Sequence, residues 1–163
     1  MIKLDNVSKI YKTGTAALSD ITFSIDKGDF VFLVGPSGSG KTTLFRLLIR
    51  DAIPTKGTIS VSDWDLTKLP KKKIPHLRKK IGVVFQDLKL LKHLTVFENI
   101  MFPLEVIGVD RKLAKAKALK ILEEVGIIEH KDKFPVQLSG GEAQRVAIAR
   151  AYVLVPDIIL ADE

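Results

Sequence analysis

The chain has 163 residues, 46% hydrophobic and 28% charged, enough for one packed globular domain and too few for two independent ones. It contains no cysteine, which excludes disulfides, thiolate metal sites and cysteine nucleophiles. The net charge is +7, no apolar run is long enough to span a bilayer, and Met1-Ile-Lys-Leu-Asp is not a signal peptide, so an intracellular chain is expected.

IKLDNVSKIY and ITFSI alternate as strands do, and Phe30 to Val34 is a continuous apolar run of the kind buried on both faces of a sheet. Gly35 to Gly40 is a glycine-rich turn. TTLFRLLIRDAIP then has helical apolar spacing at Leu44, Leu47 and Leu48, with a stop expected near Pro54. GTISVSDWDL predicts a short hairpin-like strand, and KLPKKKIPHLRKK, Lys68 to Lys80, a basic loop. KKIGVVFQ predicts another strand, ending at Gln86.

Helices are predicted over Val96 to Val106 and Lys112 to Val125, the second with Ala114, Ala118, Ile121, Leu122 and Val125 on one face. The last 26 residues, LSGGEAQRVAIARAYVLVPDIILADE, predict loop, helix, a turn at Pro156 and a strand. Ser139 is the expected N-cap, with Val146, Ala147 and Ala151 turned inward. The order describes an α/β chain with a helical insert in its middle third. The cations of Lys68 to Lys80 and of Arg111 to Lys120 suit a solvated face, or one that meets lipid headgroups, nucleotide phosphates or nucleic acid. His76, His93 and His130 lie in scattered polar stretches, so solvated histidines are expected and a metal cluster is not.

GPSGSGKT, from Gly35 to Thr42, has glycines at its first and sixth positions followed by Lys and Thr. Glycines let backbone amides approach a phosphate without a Cβ in the way, and a helix starting near Lys41 adds about half a positive charge. Lys41 directs a full charge at the β- and γ-phosphates, and the Thr42 hydroxyl is a hard ligand for Mg²⁺. A strand before the turn and a helix after it argue against a plain connecting turn. IILADE ends in adjacent carboxylates: Asp162 suits Mg²⁺, held directly or through water, and Glu163 suits orientation or deprotonation of an attacking water. LSGGE, Leu138 to Glu142, sets a serine and two glycines at a second helix N-terminus, which suits a second anion. Since one nucleotide uses one phosphate loop, this arrangement suggests a head-to-tail pair in which each LSGGE closes over the other's nucleotide.

Phosphate loop, Gln86 at a strand end, LSGGE and ILADE, in this order and over the whole chain, resemble the nucleotide-binding subunit of an ATP-binding cassette (ABC) transporter. The resemblance implies a phosphate-loop NTPase core of RecA type with an antiparallel β-subdomain and a helical subdomain. The core would take residues 1–86 and 145–163, and the helical subdomain with the signature motif residues 87–144. ATP and Mg²⁺ are the implied ligands. Gly35, Pro36, Ser37, Gly38, Ser39, Gly40, Lys41, Thr42 and Thr43 would hold the phosphates, and Tyr11 would stack on adenine unless it only closes the first strand against the core. Thr42, Gln86 and Asp162 would hold the metal, with Gln86 also sensing a membrane partner. Lys41 and Gln86 would assist hydrolysis, Glu163 would be the base, and Ser139, Gly140 and Gly141 would cap the γ-phosphate across a homodimer. Ala143 departs from the family, which commonly has a second glutamine there.

VVFQDLKLL, Val83 to Leu91, with LTVFENIMFPLEVIG, resembles more closely the cell-division branch of the FtsE type, which works under an FtsX-type integral membrane partner. That implies a peripheral protein on the cytoplasmic face of the membrane. Exporters of the lipoprotein-release and macrolide type share much of this stretch and stay open as an alternative. So do a non-catalytic dimerising switch and a DNA-maintenance ATPase, although the latter places long coiled coils where Val96 to Val125 stands here. Family members continue past the Asp-Glu pair into a strand that inserts beside the phosphate-loop strand, and into a switch histidine, a role His130 cannot take by position. The 163 residues are therefore expected to be a fragment that retains the Mg-ATP site but turns over slowly or not at all.

Overall fold

A computed structural model of the chain describes residues 1–162. Two compact units make up the chain, Met1–Arg78 and the residues from Lys79 onward.

The first unit is built on four antiparallel strands, β1 (Ile2–Ile10), β2 (Ala16–Ile25), β3 (Lys56–Val61) and β4 (Trp64–Asp65), in the order β2-β1-β3-β4. Ile2 faces Ile25 on one side and Val61 on the other, so the alternation read in IKLDNVSKI puts Ile2 and Leu4 in the core and Lys3 and Asp5 in solvent. Helix α1 (Lys41–Leu48) buries Leu44, Leu47 and Leu48, as its spacing requires. It ends well before Pro54. Arg50 adopts φ 57°, Arg50 N–H donates to Leu47 O, and Asp51 N–H donates to Arg46 O, a Schellman closure made without the usual glycine.

The basic stretch is not a loop throughout. Lys71–Lys73 form a 3₁₀ turn and Ile74–Lys79 form helix α2. Buried Leu69 and Leu77 hold the segment down while its lysines stay in water, and Pro75 lies in the first turn of α2, where a helix tolerates proline.

Phe30 to Val34 corrects the sequence reading outright. The run is not a strand, and Phe30, Phe32 and Val34 are 85%, 78% and 90% exposed. No strand lies beside it among the described residues, so its backbone has no ladder to join and its side chains have no sheet face to cover. Phe30 and Phe32 meet edge to face, with centroids 5.1 Å apart.

In the second unit β5 (Ile81–Val84) pairs in parallel with β6 (Ile158–Ala161), from Ile81 opposite Ile158 to Val84 opposite Ala161. Helix α5 (Gly140–Tyr152) packs against β5, and α3 (Val96–Val106) and α4 (Arg111–Glu124) pack against α5 and each other. The α4 face read from the sequence is buried at Ala114, Ala118, Ile121 and Leu122 and partly at Val125. These side chains join Val96, Ile100, Leu104, Val146 and Ala149 in one apolar cluster. Ala151 is only half-buried, and Ala149 takes the inward position on α5. Gly82 lets α5 lie against β5, since a Cβ there would sit 2.4 Å from Ala151 O.

Candidate functional site

Within the first unit, the glycine-rich loop leads into α1 through Gly40, at φ 94°. A Cβ on Gly40 would lie 2.4 Å from Ala17 O, so both the backbone conformation and the space demand glycine. No side chain caps α1, and its first turn holds no acidic residue, which leaves the orphan N–H groups and the positive end of the helix for an outside acceptor. Lys41 Nζ donates to the loop's own carbonyls, Gly35 O at 2.6 Å and Pro36 O at 3.0 Å. Its charge is thereby held over the loop by acceptors that a phosphate oxygen can replace. Ser37, Gly38, Ser39 and Thr42 are exposed, and Thr43 is buried beneath them. Tyr11, just beyond β1, approaches the same helix: its hydroxyl lies 3.3 Å from Thr43 Oγ1, and Lys9 Nζ lies over its ring, 5.2 Å from the centroid.

In the second unit, β5 and β6 bring their carboxyl ends to one edge. Asp162 N–H donates to Val84 O at 2.9 Å, and Gln86 lies exposed in the turn two residues past β5. Gln86 and Asp162 therefore share the carboxyl end of a parallel pair, where open α/β sheets bind ligands. Glu163 lies outside the described residues. Among the described residues no group of three or more His, Asp or Glu gathers as a metal cage. The hydroxyl of Thr42 in the first unit, and the amide of Gln86 and the carboxylate of Asp162 in the second, are each oxygen donors of the kind that Mg²⁺ takes beside substrate phosphates.

The segment after Gln86 is braced by two residues that the sequence reading did not single out. Leu88 and Lys89 both have positive φ, 55° and 47°. Arg150 on α5 donates to their carbonyls, to Leu88 O and Lys89 O at 2.8 Å each, and burial lowers its pKa below the usual guanidinium value. Asn99 is fully buried; it accepts from Leu91 N–H and donates to the carbonyls of Leu91, Leu94 and Thr95. Buried polar groups this completely satisfied rigidify a turn. Arg150 and Asn99 sit inside helices where their spacing reads as ordinary, and only the tertiary fold shows what they hold.

The signature turn opens α5 as the N-cap reading of Ser139 requires. Ser139 Oγ accepts from Glu142 N–H, and the Glu142 carboxylate accepts from Ser139 N–H at 2.7 Å and from its hydroxyl at 2.8 Å, a complete capping box. These two bonds, backbone first, hold the Glu142 pKa below the usual carboxylate range, with smaller help from His130 and Lys133. Gly140 and Gly141 are exposed, and a Cβ on either would meet nothing within 4 Å. His130 corrects the expectation of a solvated histidine. Its Nε2 lies 3.0 Å from Glu142 Oε1, and its Nδ1 is buried.

A family model described as ABC transporter matches residues 18–163. This chain is a member of the ABC transporter family. The cell division ATP-binding protein FtsE of Bacillus subtilis is 49% identical over 163 residues, covering all of this chain and 72% of that protein. The protein of the same name in Mycobacterium tuberculosis is 50% identical over 164 residues, covering all of this chain and 71% of that one. Among solved structures, the dimeric post-hydrolysis state of the ATP-binding cassette MJ0796 bound to ADP and Pi superposes with a TM-score of 0.91 at 37% identity, over all of this chain and 74% of that one. The α/β fold is that of ABC ATPase cassettes, and ATP is the ligand of the family. Among the described residues no helix is long and apolar enough to cross a membrane.

Proposed function

We propose that the chain is the ATP-hydrolysing subunit of an FtsE-like complex, acting in cell division from the cytoplasmic face of the membrane with an FtsX-type integral partner. Likeness to FtsE proteins over the full 163 residues carries this reading. Gly35 to Thr43 hold the triphosphate, with Lys41 moving from the carbonyls of Gly35 and Pro36 to the β- and γ-phosphates. Tyr11 stacks adenine on the ring face that Lys9 leaves free. Thr42, Gln86 and Asp162 hold Mg²⁺, which supplies charge neutralisation at the phosphate oxygens when bound. Gln86 also senses the membrane partner, Glu163 takes the proton of the attacking water, and Ser139, Gly140 and Gly141 cap the γ-phosphate held by a second copy. In this reading residues 1–86 and 145–163 act as the nucleotide-binding core and 87–144 as the helical subdomain.

By themselves the 163 residues are expected to turn ATP over slowly or not at all, because the run that delivers the phosphate loop, Phe30 to Val34, is held in no sheet among the described residues. The test pairs calorimetric titration of Mg-ATP with retention on detergent-solubilised membrane partners. Retention on an FtsX-type protein, and none on a permease of the lipoprotein-release type, is the expected result. The reverse pattern sinks the cell-division assignment while leaving nucleotide binding to stand on the calorimetry. Steady-state turnover close to that of a full-length relative overturns the slow-turnover reading.

A further inference from the structure

Glu142 places a negative charge in the first turn of α5, beside the serine that would meet a phosphate. Both oxygens of this carboxylate are committed. One accepts from Ser139 N–H and Oγ–H, and the other lies 3.0 Å from His130 Nε2. His130 Nδ1 is buried without a partner among the described residues. A proton on Nδ1 would be an orphaned buried N–H, so the ring carries its proton on Nε2 and donates it to Glu142.

A fully ionised terminal phosphate only accepts hydrogen bonds. To bind one, the Ser139 hydroxyl must turn its hydrogen away from Glu142, and the carboxylate then keeps two donors, Ser139 N–H and His130 Nε2–H. The histidine draws negative charge toward Oε1, away from the serine, and prevents the carboxylate from rotating outward toward the incoming anion. We infer that His130 is a positioning residue for the signature serine: acting through Glu142, it lets Ser139 pass its hydrogen bond to the terminal phosphate of a nucleotide held by a second copy of the chain. This rests on the reading of Ser139 as a cap across the dimer.

The test is a double-mutant cycle read as Mg-ATP-dependent self-association of the 163-residue chain in the ultracentrifuge, with Lys41→Ala as the nucleotide control. His130→Ala is expected to weaken association about tenfold, and by less than about twofold in a Glu142→Gln background where the repelling charge is gone. His130→Gln, whose amide can still donate to Oε1, should recover most of the loss. Equal losses in both backgrounds, or no recovery with glutamine, would mean that the ring merely fills space and would overturn the inference. Independently of association, ¹⁵N spectra of the imidazole should show the proton on Nε2, and a proton on Nδ1 overturns the inference while leaving the dimer reading intact. Absence of nucleotide-dependent association in the unmodified chain would remove both together.

Discussion

Two helix N-termini in this chain face opposite requirements. Helix α1 starts at a left-handed glycine with no side-chain cap and no acidic residue, and its lysine rests on loop carbonyls. Helix α5 starts with a complete capping box whose glutamate is itself held by a histidine. Both carry the same partial positive charge from aligned peptides. The first leaves that charge available to an anion, and the second has already satisfied it internally. A helix end can thus be built as a standing anion site or as one that must exchange an internal partner first, and the side chains at the N-cap and third positions decide which.

The largest effect that could break this contrast is at Lys41. Lys41→Ala should lower Mg-ATP affinity by about 100-fold or more, since a charge-assisted contact to phosphate is lost. Calorimetry giving less than tenfold would mean that the open end of α1 is not the principal anion site. Gly40→Ala comes next. A forced positive φ and a collision with Ala17 O should cost about 2–3 kcal/mol in denaturant unfolding. Gly140→Ala, with nothing within 4 Å of the new methyl, should leave stability unchanged or raise it by about 0.5 kcal/mol. Similar losses at the two glycines would erase the distinction between a strained start and a relaxed one.

Removing a cap should cost less. Ser139→Ala and Thr95→Ala each delete the side chain of a capping box, and each should lower stability by about 1 kcal/mol. Helix α1 has no equivalent to lose. The smallest effect is that of acid. Glu98 and Glu142 both have pKa values below the usual carboxylate range, set first by backbone and then by hydroxyl hydrogen bonds from Thr95 and Ser139. Because the folded value is the lower one, the stability they contribute is complete above the ordinary carboxylate pKa of about 4.3 and is lost as pH falls through the depressed values. Amide exchange should then show the first turns of α3 and α5 fraying together on acidification, with α1 unaffected. Fraying of α1 in the same range would show that its start also depends on a carboxylate.

Periodicity and local chemistry were legible from residues alone where they act over a few positions. The alternation of β1, the α4 face of Ala114, Ala118, Ile121 and Leu122, the phosphate-loop pattern and the Ser139 cap all follow from interactions within one or two turns of chain. Helix boundaries were less legible. Arg50 closes α1 where no glycine advertises the stop, and Leu77 anchors α2 inside a stretch dominated by lysine and proline.

Tertiary structure alone decided what needs a partner distant in sequence. Five apolar residues at Phe30 to Val34 have the composition of a buried strand, yet a strand exists only when a neighbour completes its hydrogen bonds, and none of the described residues does so. His130 reads as a solvated histidine until α5 brings Glu142 to 3.0 Å, and Arg150 carries no mark in the sequence until the carbonyls of Leu88 and Lys89 meet it. The sequence by itself determined which groups could bind phosphate, because that chemistry is carried by residue type and short spacing. The fold determined which of those groups stand open and which are held by another side chain, because hydrogen bonds between distant segments form only once packing has set the distance.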